Sequence, residues 1–316
     1  MRRSLRTAAC ATFAAAVCVL ACAALADDDP IMGTGQEREL NVGGLARTYR
    51  TVHPPGAPPQ PALVVVLHGG FGTGQGAQDA YAWDAVARTG RVVIAYPDGV
   101  GRSWNGGRCC GPAQSRNVDD VAFLTEVIRD LERRDGVDPR RVYVTGMSNG
   151  AIMAYRLACE GPIPLAAIGP VAGDLEVPCT SPVVPVSVMA IHGSADQNVP
   201  IGGGIGRKSF TKTDHASVAA SLARWRAIDR CQEQPATSRR GPVVRETTEC
   251  ASTGTAIVLI TIDGAGHQWP GAKPPSSEAA RLLGLDPPSE WLDATDALWS
   301  FFQPRVASSP GPNGRR

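Results

Sequence analysis

Ser148 stands between two glycines in Gly146-Met147-Ser148-Asn149-Gly150. A serine hydroxyl attacks a carbonyl only when a turn lifts it clear of a sheet and a base takes its proton. The flanks fit such a turn. Val142 to Thr145 is an apolar, β-rich run, and Ile152, Met153, Tyr155, Leu157 and Ala158 follow with helical spacing. In so tight a strand–turn–helix, the residues two before and two after the serine must be small, because side chains there would collide across the turn. Gly146 and Gly150 meet that demand. The helix beginning at the turn presents N–H groups that favour negative charge.

Where a serine sits on this turn, the acid and then the histidine follow it in the chain. His53 and His68 precede Ser148 and are excluded as bases. His192 closes a strand just before an acid and fits a packing role. His215 lies in a polar Lys/Thr/Asp stretch and reads as a solvated surface residue. His267 follows an apolar strand in a Gly-rich loop, where a base can swing over Ser148. Asp196, framed by Gly193 and Pro200 after a strand end, is the expected orienting carboxylate, with Asp174 and Asp263 as rivals. A tetrahedral oxyanion needs two donors. The Asn149 N–H is one, and His68-Gly69-Gly70 supplies the other, with Gly70 favoured. Trp104 and Trp269, in loops at the carboxyl ends of strands, are candidate walls of an acyl or sugar pocket. Asp119-Asp120 reads as a helix N-terminal pair rather than as acid–base machinery.

The elements that position these groups alternate. Continuous apolar runs at 61–67, 91–97, 142–145, 166–171, 183–191 and 256–262 predict strands buried on both faces. Residues 47–52 alternate as an edge strand does, 27–45 form a polar lead-in, and 243–248 suggest another strand. Helical spacing appears over 78–89, 118–134 and 217–228, and Thr295 is a candidate cap for a last helix. The loop 98–117 is too long to be idle. Strands alternating with helices predict an α/β fold with a mostly parallel sheet covered on both faces, in a single domain. That domain is expected over 27–303, with a disordered, Pro/Gly/Ser/Arg-rich tail over 304–316.

Residues 1–26 read as a secretory signal. Arg2, Arg3 and Arg6 precede an Ala-rich apolar stretch, and Ala24-Leu25-Ala26 is an A-x-A cleavage site. An uncleaved anchor, or lipidation at Cys22, is the weaker reading. Cleavage removes three of 31 basic residues and leaves 28 against 30 acidic ones, a net charge of −2. Such a chain carries no electrostatic footprint for nucleic acid or for a membrane surface. Six of the nine cysteines remain, and an even number in an exported chain reads as disulfides. Connectivity is open. The local pairs Cys231–Cys250 and Cys159–Cys179 are favoured, which leaves Cys109 and Cys110 as a vicinal bridge or, if reduced, a reactive dithiol. No Cys-x-x-Cys or His-x-x-x-His pattern offers a metal site, and no cofactor is expected.

Several stretches together resemble the secreted polyhydroxybutyrate-depolymerase-like esterases, a family that includes feruloyl and acetylxylan esterases. They are LHGG at 67–70, SWNGGRCCGPA at 103–113, VDDVAFL at 118–124, VDPRRVYVTGMSNGAIMAYRLAC at 137–159, PVAG at 170–173, IHGSAD at 191–196 and GAGHQWPG at 264–271. The resemblance implies an α/β-hydrolase fold, a serine triad, no metal, and ester hydrolysis outside the cytoplasm. Its triad falls on Ser148, Asp196 and His267. The expected partner is an ester, either a hydroxyalkanoate oligomer or a plant-polysaccharide ester. Because the chain stops soon after its last helix, soluble oligomers or phenolic esters are expected rather than crystalline polyester. The alternatives are an acyltransferase using the same triad, and a non-catalytic binder of surface glycan or polyester on a hydrolase fold.

Overall fold

The apolar runs become the middle of one sheet. In the computed structural model, which describes residues 35–180, 182–231, 234–274 and 286–309, the strands are β1 (Gln36–Val42), β2 (Leu45–Val52), β3 (Ala62–Leu67), β4 (Val92–Pro97), β5 (Val142–Met147), β6 (Ala167–Val171), β7 (Ser187–Gly193), β8 (Ala236–Arg240), β9 (Val243–Cys250) and β10 (Thr255–Ile262). Their order across the sheet is β1-β2-β4-β3-β5-β6-β7-β10-β9-β8. From β4 to β10 every neighbouring pair is parallel, and an antiparallel hairpin closes each edge. Strands β3 to β7 are buried at every position, as uninterrupted apolar runs require.

The helices are α1 (Gly74–Tyr81), α2 (Trp83–Gly90), α3 (Gly111–Ser115), α4 (Asp120–Asp135), α5 (Asn149–Glu160), α6 (Val218–Ile228) and α7 (Ala294–Phe302). The pleat sends alternate side chains of β3 to opposite layers. Leu63, Val65 and Leu67 meet Phe123 and Ile128 of α4, Met153 of α5 and Trp225 of α6. Val64 and Val66 meet Trp83 of α2 and Leu298 and Phe302 of α7. This is the α/β-hydrolase fold. Among the described residues no helix is long and apolar enough to cross a membrane.

Four local expectations change. The lead-in holds β1, so β2 is not the edge strand; Leu40 and Val42 turn inward with Arg38, which pairs with Asp135, while Glu37 and Glu39 face solvent. The helix expected over 78–89 is two helices, broken at Ala82 in the left-handed region (φ 58°). The last helix is capped by Asp293, whose carboxylate accepts the Asp296 N–H at 2.9 Å. Thr295 lies inside that helix and instead donates its hydroxyl to the Tyr81 carbonyl at 2.5 Å. The tail folds back where it is described: the Tyr143 hydroxyl donates to the Arg305 carbonyl at 2.7 Å, and the Ala307 N–H donates to Arg140 O at 2.8 Å. The expected signal at 1–26, the lead-in before 35 and residues 310–316 lie outside the described residues.

Disulfides join Cys159 to Cys179, Cys231 to Cys250 and Cys109 to Cys110. The first two close loops with sequence separations of 20 and 19 residues. Closing a loop of that size removes unfolded-state entropy worth about 3 kcal/mol. Replacing both Cys159 and Cys179 by Ser should therefore lower the unfolding free energy by roughly 2–4 kcal/mol. Urea denaturation with the slope compared between the two proteins checks it.

Candidate active site

Ser148 occupies the turn between β5 and α5 at φ 56° and ψ −122°. A non-glycine residue there is strained, and the surroundings must over-determine it. They do. A Cβ on Gly150 would fall 2.5 Å from the carbonyl oxygens of both Leu67 and His68. One on Gly146 would fall 2.7 Å from Leu67 O and 2.8 Å from the Gly150 carbonyl. The glycines thus let the turn close against the end of β3, and the Ser148 N–H is anchored on Val171 O of β6 at 2.9 Å.

His267 follows β10 and Asp196 follows β7, each at the carboxyl end of a parallel strand, where ligand crevices of open α/β sheets form. His267 Nδ1 lies 2.8 Å from Asp196 Oδ2. The other carboxylate oxygen accepts the N–H groups of Asn198 at 2.8 Å and Val199 at 2.9 Å. Burial alone would raise the Asp196 pKa, but the charge and hydrogen bond of His267 and these backbone donors hold it below the usual carboxylate value. An ionised, acceptor-only Asp196 is placed to accept a hydrogen on Nδ1 of His267. Of the rival acids, Asp263 is exposed and pairs with Arg239, and Asp174 pairs with His215.

Ser148, His267, Gly70 and Asn149 line one cavity of about 410 Å³, walled also by Met147, Ile152, Tyr81 and Trp269. In the loop after β3, Phe71 N–H is taken by Arg102 O and Gly72 N–H by Gly69 O. The Gly69 amide faces the Tyr81 hydroxyl. Gly70 N–H is the loop donor with no acceptor among the described residues, and a Cβ on Gly70 would meet that of Asn149 at 4.0 Å.

The two tryptophans part company. Trp269 lines the cavity and stacks on Tyr81 with ring centroids 4.3 Å apart. Trp104 is not a cavity wall: it is fully buried, and its indole N–H donates to His68 O at 3.0 Å. Its backbone N–H and carbonyl are both taken by the Asn149 side chain, at 2.6 and 2.8 Å. Trp104 therefore braces the loop after β3. Asp119 caps α4 through the Ala122 N–H, while Asp120 is buried on Arg47 and the Asn105 N–H, so neither faces the cavity.

His215 also departs from expectation. It is buried, lines the cavity, and places Nδ1 3.0 Å from Asp174 and 3.3 Å from Glu176. Its polar neighbours in sequence gave no sign of this, because the acids it meets lie about forty positions earlier. His192 does pack: its Nε2 donates to Val199 O at 2.8 Å, and burial lowers its pKa, keeping it neutral. Asp286 went unnoticed in the sequence. It accepts the His267 backbone N–H at 2.8 Å and pairs with Lys208 at 2.9 Å, which fixes the base's loop.

With this geometry in place, relatives bear on it. No family model matches the chain. A putative esterase, NocK, of Nocardia uniformis subsp. tsuyamanensis is 32% identical over 257 residues, which cover 75% of each chain. The chain belongs to the family of feruloyl esterase-like and polyhydroxybutyrate depolymerase-like serine esterases. Feruloyl esterase B of Piromyces equi is 26% identical over 204 residues, 60% of this chain but 37% of that longer protein. The acetyl xylan esterase of Aspergillus awamori superposes with a TM-score of 0.55 at 15% identity, over 80% of this chain and all of that one, a likeness of fold. This esterase hydrolyses carboxylic esters.

The loop after β3 needs a neutral His68. Its Nδ1 donates to Gly69 O at 2.7 Å and its Nε2 accepts the Gly99 N–H at 3.0 Å. Burial lowers its pKa below 6.5. Between the folded and unfolded values the unfolded chain binds more protons, so this stability is complete above about pH 6.5 and is lost as pH falls below it. The melting-temperature advantage of the wild type over His68→Gln should be full at about pH 8 and smaller at about pH 5. Paired thermal denaturation at the two pH values checks the sign.

Proposed function

We propose that the chain is an exported serine esterase working through an acyl-enzyme on Ser148. The observation that carries the reading is the 2.8 Å bond from His267 Nδ1 to Asp196, on the same cavity as a serine held at φ 56°. His267 Nε2 removes the Ser148 proton as Oγ attacks the ester carbonyl. The N–H groups of Asn149 and Gly70 receive the oxyanion. The tetrahedral intermediate collapses, His267 delivers the proton to the leaving alcohol, and the acyl group stays on Ser148. Water, deprotonated by the same nitrogen, then releases the acid. Asp196 orients the imidazole and stabilises its charged form without taking its proton.

Export is supported by the signal-like amino end and by three disulfides, which persist in oxidising compartments. The apolar cavity with its Tyr81–Trp269 stack suits a short or aromatic acyl group, which fits hydroxyalkanoate oligomers or phenolic esters of plant polysaccharide. A fluorophosphonate probe should label the wild type at Ser148 and leave Ser148→Ala unlabelled. That variant should also lose roughly 10⁴-fold or more in kcat on p-nitrophenyl esters. Labelling elsewhere, or a fully active Ser148→Ala, would overturn the mechanism.

A further inference from the structure

Outside the Ser148–His267–Asp196 set, the cavity meets another cluster of buried ionisable groups. Asp174 follows β6 and is fully buried, and Glu176 is nearly so. Both carboxylates face the Nδ1 side of His215. Behind them Arg108 reaches Glu176 at 2.8 Å. The backbone of His215 is fixed as well. Its N–H and carbonyl exchange hydrogen bonds with Gly204 at 3.2 and 2.9 Å, and the neighbouring Ala216 N–H reaches Glu176 at 3.3 Å. A ring held this way on one edge and lining the cavity has Nε2–H as its remaining donor, with no acceptor among the described residues.

Burial alone would lower the His215 pKa, but the hydrogen bonds to Asp174 and Glu176 outweigh it and push it up to about 9. The ring is therefore an imidazolium with both nitrogens donating. Beside it, burial and the neighbouring Glu176 raise the Asp174 pKa to about 7, while the hydrogen bond of His215 helps hold Glu176 down to about 2. The three side chains lie within 4.8 Å of one another, and the two acids occupy only the Nδ1 edge of the ring. Held rigidly on that edge, the ring offers a strong, immobile N–H to a substrate oxygen.

We infer that His215 is a specificity-determining residue, whose Nε2–H donates to an acceptor oxygen carried by the substrate beyond the scissile ester. The substrate class is an ester bearing a second oxygen function, such as a hydroxyacyl unit or a phenol ether, in preference to a plain alkanoate. The inference rests on the proposed role of Ser148 in this cavity. An empty cavity wets the donor, and a plain acyl chain strips that water without replacing the bond, so oxygenated esters gain at the transition state.

The experiment compares kcat/KM within two matched pairs, p-nitrophenyl 3-hydroxybutyrate against butyrate and methyl ferulate against methyl cinnamate, in wild type, His215→Leu and His215→Gln. The wild type should prefer the oxygenated member of at least one pair. His215→Leu should lose about tenfold of that preference, and His215→Gln, which keeps an N–H donor, should recover part of it. A ratio that is the same in wild type and His215→Leu overturns the inference while fluorophosphonate labelling of Ser148 stays intact; loss of labelling strikes the mechanism instead. Should His215→Leu not fold, wild-type protein with nitrogen-15 histidine serves. The His215 Nε2 resonance should move with a 3-hydroxybutyl phosphonate and not with a butyl one, and an equal response to both overturns the inference.

Discussion

The packing of a bare backbone turn against two carbonyl groups holds this site together. Gly150 lies where any Cβ would strike the Leu67 and His68 oxygens, and Gly146 lies against the same Leu67 oxygen. Leu67 and Gly146 are register partners in the parallel β3–β5 pair. The strained Ser148 and the oxyanion loop after β3 are therefore one packing unit. Neither can shift by an ångström without the other. Pre-organisation of this kind lets the donors meet charge without rearranging as it develops.

A polar relay extends that unit outward. The His68 carbonyl beside Gly150 also accepts the indole N–H of Trp104. The Trp104 backbone is gripped by the Asn149 side chain. The next residue, Asn105, donates to the buried Asp120, and Asp120 accepts from Arg47 of β2. Each of these bonds ties one buried group to the next, so removing one would leave its neighbour desolvated and unpaired. The long loop over 98–117 thus acts as a brace for the site.

How much of this was legible follows from what each signal depends on. The parallel strands showed because a strand buried on both faces must be apolar throughout, as 62–67 and 92–97 are. The strand ends that carry Ser148, Asp196 and His267 follow one another in that order along the chain. What stayed hidden depends on tertiary partners. His215 looked solvated among Lys212, Thr213 and Asp214, since the acids that bury it follow β6. Strand β8, exposed at every position, has no hydrophobic period and exists only by pairing with β9. Trp104 stood at a strand end like Trp269, and only the packed loop shows that it turns inward.

The buried histidines also explain how one crevice keeps several imidazoles in different states. His192 donates to the Val199 carbonyl and lies 3.5 Å from Asp196, but burial outweighs both and keeps it neutral. His215 meets two carboxylates, and they prevail over burial. His267 meets one carboxylate, and that carboxylate is already shared with the Asn198 and Val199 N–H groups. An acceptor so occupied is held ionised and can take the Nδ1–H of His267. Burial and the charge of the groups each ring meets thus set His192 and His215 apart.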